Sequence, residues 1–439
     1  MDEEYLLSNM PQTPAWDLAG GVEIRAIRGS QCIYCLGSRA LCGRKQCPIL
    51  LRYSKLQPVV KLRLEDRTAI DGASPPGVFV GRIGYPRVSV GPLVPPYFGN
   101  TSMLDHPESW WSIDLEKLVE YRSSLVRGIF NVNVHNPWEA GRLFELTQEI
   151  AMATQPLEAS LEFSKPVKAR IVLDEDAQPF GPYGLVERLE ARSIKTNHVI
   201  EKAYYDEDLK ASEAVYYAYS SGVPVSSIQK ALSAAVFGVR KRRRLVPTRW
   251  SITAVDSILA DKMMDRIRMN PEVGEYMVYE SEHIDNRFIV LISPGRWSYE
   301  FIEMFHPGSV WNIGGEDNVA IGSDYEDTEG RTTYARIGGC YYAARLAVVE
   351  HLHRIRRQGA VLVLREAGPG YLLPAGVWLV RENTRKALAG KPTCFGNLDA
   401  ALAYSAKKMR TPWRLIVKES MLLRNIRGRR RITEYLKEE

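Results

Sequence analysis

Residues 338–367 read GGCYYAARLAVVEHLHRIRRQGAVLVLREA. Through position 357 the small and apolar residues recur at helical spacing, and the run AVLVLREA that follows has the composition of a buried strand. A helix at 340–357 beside a strand at 360–367 makes the fold class mixed α+β. Working outward, YMVYESEHI and RFIVLISP (276–294) predict two strands just beyond Asn270-Pro271, where the character of the chain changes. GVWLVRE (376–382) reads as another strand, 398–409 as a helix, and the polar, Gly/Asp-rich 312–335 as loop. Upstream, VVKLRL (59–64) alternates as a strand would, and KPVKARIVL (165–173) also reads as a strand. The Gly- and Pro-rich stretch 77–98 predicts short strands joined by tight turns. Helical spacing recurs at 112–126, 138–154, 206–219, 226–237 and 251–269, while LVERLEARSI (185–194) is ambiguous.

The composition is that of a globular protein. Of 439 residues, 45% are hydrophobic and 25% charged, which excludes a largely disordered, collagen-like or disulfide-rich secreted chain. No apolar run reaches the ~18 residues of a membrane span, and the acidic N-terminus MDEEYLLSNMPQTPAWD lacks a signal-peptide core. A soluble intracellular protein without a membrane partner is expected. The expected organisation is a mixed multi-domain α+β chain with a small N-terminal zinc-binding loop module. Its parts are a lead-in with a cysteine module (1–52), an N-terminal α+β domain (53–275), a C-terminal α+β domain (276–411) and a basic tail (412–439).

Charge is unevenly spread. Residues 407–431 hold ten Lys/Arg and one acid, although the whole chain carries only +6. A second run, Arg240-Lys241-Arg242-Arg243-Arg244, lies mid-chain with Arg249 just beyond it. Clusters of this kind suit a polyanion, because each neutralised phosphate releases counterions. A solvated surface is the plain alternative, and RNA is a third option. The segment 206–240 has the small residue, turn glycine and apolar anchors of a helix-turn-helix in Ala218, Gly222, Val223 and Ile228. Read so, Ser226, Ser227, Gln229 and Lys230 would lie near a DNA groove. The other reading is an αα-hairpin inside a domain core, which the aromatic first helix favours.

Four of six cysteines fall at Cys32-x2-Cys35-x6-Cys42-x4-Cys47. Four thiolates in a tetrahedron are what a structural Zn2+ needs, and Arg39, Arg44 and Lys45 would favour the thiolate form. Disulfides, an iron–sulfur cluster and unliganded thiols are the alternatives. Cys340 and Cys394 stand alone and read as buried small residues.

Near the C-terminus, Arg429, Ile432, Tyr435 and Leu436 have the spacing of a sliding-clamp-binding peptide, with Arg429 where such peptides carry Gln and Leu436 in place of a second aromatic. Together with the cysteine cluster, PPGVFVGRIGYPRVSVGP (75–92), VPTRWSITAVD (246–256), PGRWSYEFIE (294–303) and GGCYYAARLAVVEHL (338–352), the chain resembles the archaeal Nre DNA-repair proteins. The likeness runs from about residue 25 to 411 and again at the tail. It implies a cytoplasmic DNA-damage repair protein with a zinc-finger-like N-terminus and a C-terminal motif for the replication sliding clamp (PCNA). The expected function is DNA binding with recruitment to the clamp.

The alternative is an enzyme acting on nucleotides or damaged nucleic acid. Its candidate residues are Arg249, Asp256 and Arg296, with Arg82, Trp250, Ser251, Trp297, Ser298, Glu300 and His306 as neighbours of Gly, Pro or Trp. An Arg with an acid beside a close-approaching backbone suits phosphate. Structural ion pairs are the competing reading. No phosphate-loop or dinucleotide fingerprint is present, and His351 and His353, two apart on a helix, cannot share a ligand face.

Overall fold

The computed structural model describes residues 15–18, 22–26, 35, 39, 41–42, 44, 46–64, 66–173, 181–312 and 318–428. Two compact units divide the chain at 259/260, upstream of the 275/276 boundary expected from sequence.

The first unit opens with the antiparallel pair β1 (Ala15–Leu18) and β2 (Val22–Ala26). Helix α1 (Pro48–Val59) runs into a π-helical turn at Val60–Leu64. The strand expected at 59–64 is therefore corrected to helix. Ile49, Leu56, Val60 and Leu64 are all buried, and their spacings of seven, four and four residues extend one helical face through the segment. That longer periodicity overrides the local alternation. Ile49, Leu56 and Val60 pack against Val22, Ala169 and Ile171.

The main sheet of this unit holds β3 (Ala69–Ser74), β4 (Val78–Val80), β5 (Arg87–Val94), β6 (Val126–Asn133), β7 (Leu157–Phe163) and β9 (Tyr183–Arg192), in the order β3-β7-β9-β6-β5-β4. Only β6 and β9 run parallel. The remaining strand, β8 (Ala169–Leu173), pairs parallel with β2. Glycine is required where β5 crosses β6, since a Cβ on Gly91 would stand 1.8 Å from the Gly128 carbonyl oxygen. Helices α2 (Leu115–Ser124) and α3 (Arg142–Met152) follow the helical spacing read from sequence. The ambiguous 185–194 segment is mostly strand β9, whose residues alternate in burial. Next come α4 (His198–Tyr205), α5 (Ala211–Ser220), α6 (Val225–Ser233) and α7 (Thr248–Arg268), within which the 259/260 division falls.

The second unit is a six-stranded sheet of β10 (Tyr276–His283), β11 (Asn286–Ser293), β12 (Ser298–Phe305), β13 (Ala320–Glu326), β14 (Ala360–Ala367) and β15 (Thr393–Phe395), ordered β13-β12-β14-β11-β10-β15. Helix α8 (Gly339–Ile355) lies in the crossover that makes β12 and β14 parallel. All eight residues of β14 are buried, as a strand covered on both faces must be. Leu362 and Leu364 join a core with Leu402, Ile416, Leu422 and Leu423 from helices α10 (Leu398–Lys408), α11 (Trp413–Glu419) and α12 (Met421–Gly428).

Two expectations fail here. The supposed strand at 376–382 is the start of helix α9 (Trp378–Ala389). Trp378, Leu379, Val380 and Arg381 are buried in succession, and a short apolar run of this kind looks alike in either conformation. The supposed loop 312–335 contains β13, an edge strand whose polar residues are used: Asp324 binds Arg331 at 2.9 Å, and Glu326 accepts from Trp297 Nε1 at 3.0 Å, Tyr341 Oη at 3.0 Å and Arg345 Nε at 2.8 Å.

Candidate nucleic-acid interface

In the first unit two basic segments meet. The first is the hairpin connection between β4 and β5, Gly81-Arg82-Ile83-Gly84-Tyr85-Pro86-Arg87. Its shape is set by backbone bonds: the Gly81 amide donates to Ser89 at 2.7 Å, and the Arg87 amide to Gly84 at 2.9 Å. Gly84 has φ +80°, which favours glycine there. The second is 240–250, RKRRRLVPTRW. It is laced into the unit by the Leu245 amide to Val134 (3.0 Å), the Val246 amide to Ser233 (3.0 Å) and the Val80 amide to Thr248 Oγ1 (2.9 Å). Eight basic residues and no acidic one occur in the two segments.

The ring of Tyr85 ties them together. Its centroid lies 5.3 Å from that of Trp250, with the planes 53° apart, and 6.4 Å from His135, edge-on. Both Tyr85 and Trp250 are more than two-fifths exposed. They line a cleft of about 130 Å³ with Arg244, Leu245, Val246 and Pro247. That is far below the ~300–1,000 Å³ of a typical small-molecule site. Arg244 is exposed at the cleft, and Arg82, Arg87, Lys241, Arg242 and Arg249 are exposed on the two segments that form it.

The basic run divides between two tasks. Arg240 is exposed and pairs with Glu207. Lys241, Arg242 and Arg244 face solvent and make no ion pair among the described residues. Arg243 is instead buried, donating to the carbonyls of Gly238 (2.7 Å) and Asp206 (3.1 Å) beneath the Tyr204 ring. Burial pushes its pKa below the ordinary value. Its place in the expected nucleic-acid set is corrected to a structural one.

The helix-turn-helix-like segment is an αα-hairpin in the core. Ser226 donates through its amide and hydroxyl to Glu108, each at 2.8 Å. Gln229 binds Asp256 at 3.0 Å, and Lys230 reaches Asp105. Three of the four residues expected at a DNA groove are thus engaged inside the fold.

The proposed catalytic residues are not gathered by either unit. Arg249 is exposed at the start of α7, whereas Asp256 on the same helix is sealed at 0% exposure against Gln229. Arg296 is exposed on the β11–β12 turn of the other unit. Glu300 caps α12, accepting from the Ser420 hydroxyl and from the amides of Met421 (2.8 Å) and Leu422 (3.1 Å). His306 lies 2.9 Å from Glu366, which also accepts from Thr411 and from the Arg410 amide. Desolvation and the neighbouring Glu303 carboxylate push the Cys340 thiol above its ordinary pKa.

Of the cysteine quartet, Cys32 lies outside the described residues. Cys35 is buried, and Cys42 and Cys47 are half-buried free thiols. Among the described residues no group of three or more His, Cys, Asp or Glu side chains converges on a point where a metal could sit. Cys47 stands at the N-cap of α1, so this end of the cysteine segment is anchored on the first unit. The tail residues Arg429, Ile432, Tyr435 and Leu436 lie outside the described residues. No helix among those described is long and apolar enough to cross a membrane.

Comparison with known proteins defines the class. Residues 41–312 match the family described as archaeal Nre, N-terminal, and residues 326–435 match archaeal Nre, C-terminal. The chain belongs to the archaeal Nre family. Its relatives include the DNA repair protein NreB of Archaeoglobus fulgidus, 41% identical over 401 residues, which covers 91% of this chain and 98% of that protein. NreA of the same organism, also named a DNA repair protein, is 36% identical across 91% of this chain and 99% of its own length. The DNA repair protein NreA of Haloferax volcanii is 36% identical across 80% and 86%. No solved structure matches the chain.

Proposed function

We propose that this chain is a DNA-repair protein that holds DNA on the basic face of its first unit and is brought to the replication sliding clamp by its C-terminal segment. The observation that carries the DNA-holding part is the meeting of two acid-free basic segments, 81–87 and 240–250, around exposed Tyr85 and Trp250. The names of the relatives support the repair role. The clamp part rests on the spacing of Arg429, Ile432, Tyr435 and Leu436. A structural Zn2+ held by Cys32, Cys35, Cys42 and Cys47 belongs to the same proposal. Its support is the ligand spacing and the anchoring of Cys47 on α1. Four thiolates leave no open coordination position, so the ion would order the loop and take no part in chemistry.

The test is anisotropy of a fluorescein-labelled DNA at low salt. Wild-type protein is expected to bind, and the triple variant Arg242→Ala/Arg244→Ala/Arg249→Ala to bind at least tenfold more weakly. Equal binding by the two proteins would move the interface elsewhere.

A further inference from the structure

We infer that the cleft lined by Tyr85 and Trp250 receives an unpaired nucleobase against one of the two rings, so that this face prefers single-stranded or base-extruded DNA to intact duplex. The inference rests on the DNA-holding role proposed above and adds the form of DNA.

Four observations lead to it. The two rings are 44% and 45% exposed, so much of each stays open to solvent although they contact one another. They are also held in place. Tyr85 is flanked by the Arg87–Gly84 and Val134–Pro86 backbone bonds (both 2.9 Å), and Trp250 begins α7 with its amide on Pro247 at 2.8 Å. Rings carried on backbone fixed in this way, and already in contact with one another, have less freedom to lose on binding. The cleft itself is small, about 130 Å³, with Leu245, Val246 and Pro247 as its apolar lining. A duplex cannot enter it, and bases stacked within a duplex have no face free for a ring. An unpaired base offers such a face, and stacking of this kind is tolerant of sequence. Finally, Arg244 shares the cleft, and Arg82, Arg87, Arg242 and Arg249 are exposed on the two segments that form it. A strand whose base sits on Tyr85 or Trp250 would carry its phosphates toward these cations. Ile83, 61% exposed at the hairpin tip, adds an apolar edge of the sort that parts stacked bases.

The experiment compares a labelled 20-nucleotide oligothymidine with a 20-base-pair blunt duplex, using the full chain at fixed low salt. The proteins are wild type, Tyr85→Ala, Trp250→Ala and Trp250→Phe, each first shown to melt at the wild-type temperature. Wild type is expected to favour the single strand. Each alanine variant is expected to lose about tenfold or more on the single strand, in line with one stacked base, and less than twofold on the duplex. Trp250→Phe should recover most of the loss, because the ring is retained. Equal losses on both DNAs, or unchanged single-strand affinity in both alanine variants, would overturn the inference while leaving the DNA-holding role intact. Failure of the wild type to bind either DNA would overturn that role and the inference with it.

Discussion

Replacing Glu366 by Gln tests a carboxylate of the second unit that accepts four hydrogen bonds. The carboxylate is buried on β14, which alone would raise its pKa. The hydrogen bonds from His306, the Arg410 amide, and the Thr411 hydroxyl and amide outweigh that burial and hold the pKa at about 2, against an ordinary 4.5. A folded-state value below the unfolded one contributes stability that is fully present above the unfolded pKa. It is lost as pH falls from about 4.5 through 2. The displacement corresponds to about 3 kcal/mol at neutral pH, of which about 2 kcal/mol is gone by pH 3. Urea unfolding of wild type and Glu366→Gln at pH 7 and pH 3 gives the comparison. The variant should be less stable by about 3 kcal/mol at pH 7, and the gap should shrink by about 2 kcal/mol at pH 3. Amide exchange at Arg410 and Thr411, the two backbone donors, should quicken in the variant. A gap that stays constant between the two pH values would refute the reasoning, since it would mean that the ionised carboxylate is not what these donors hold.

Arg243→Ala should lower stability by about 1.5–3 kcal/mol through loss of charged hydrogen bonds to the Gly238 and Asp206 carbonyls, and leave the salt dependence of DNA binding unchanged. Thermal unfolding and a salt titration check the two halves separately. Metal analysis of the full chain should find about one zinc per chain, and Cys35→Ser or Cys42→Ser should abolish it. Metal-free protein with wild-type stability would remove the ion from the account. Ile432→Ala/Tyr435→Ala should eliminate binding to the sliding clamp in calorimetry, and equal heats from wild type and variant would exclude the tail as the attachment point.

The extent to which the sequence foretold the fold depends on element length. Long periodic segments such as 340–357 and 251–269 were legible, because their apolar spacing persists over several turns. Short runs were read unevenly: the strands at 276–283, 286–293 and 360–367 were legible, and others were not. Residues 59–64 and 376–382 have strand-like composition but belong to helices whose neighbours bury them, and β13 was hidden by the polar residues of an edge strand. At the interface, the 240–244 run was visible as charge. The inward turn of Arg243 was not, because it depends on the carbonyls of Gly238 and Asp206, the latter thirty-seven residues away. Tyr85 was missed altogether. It stands out only once the hairpin folds back and places its ring against Trp250, far along the chain. The one available signal was the dense Gly and Pro spacing of 77–98, which marks a presented turn. Asp256 and Gln229 show the reverse: each resembled a functional polar residue, and the structure uses them to satisfy one another.

The most direct measurement is the slope of log K against log salt concentration for single-stranded DNA. Six exposed cations lie on the two segments that form the Tyr85–Trp250 cleft: Arg82, Arg87, Lys241, Arg242, Arg244 and Arg249. If each meets one phosphate, the slope is about −4, and replacing Arg242, Arg244 and Arg249 together by alanine halves it. A slope near zero in the wild type, or one that the triple replacement leaves untouched, would contradict the assignment of this face to nucleic acid.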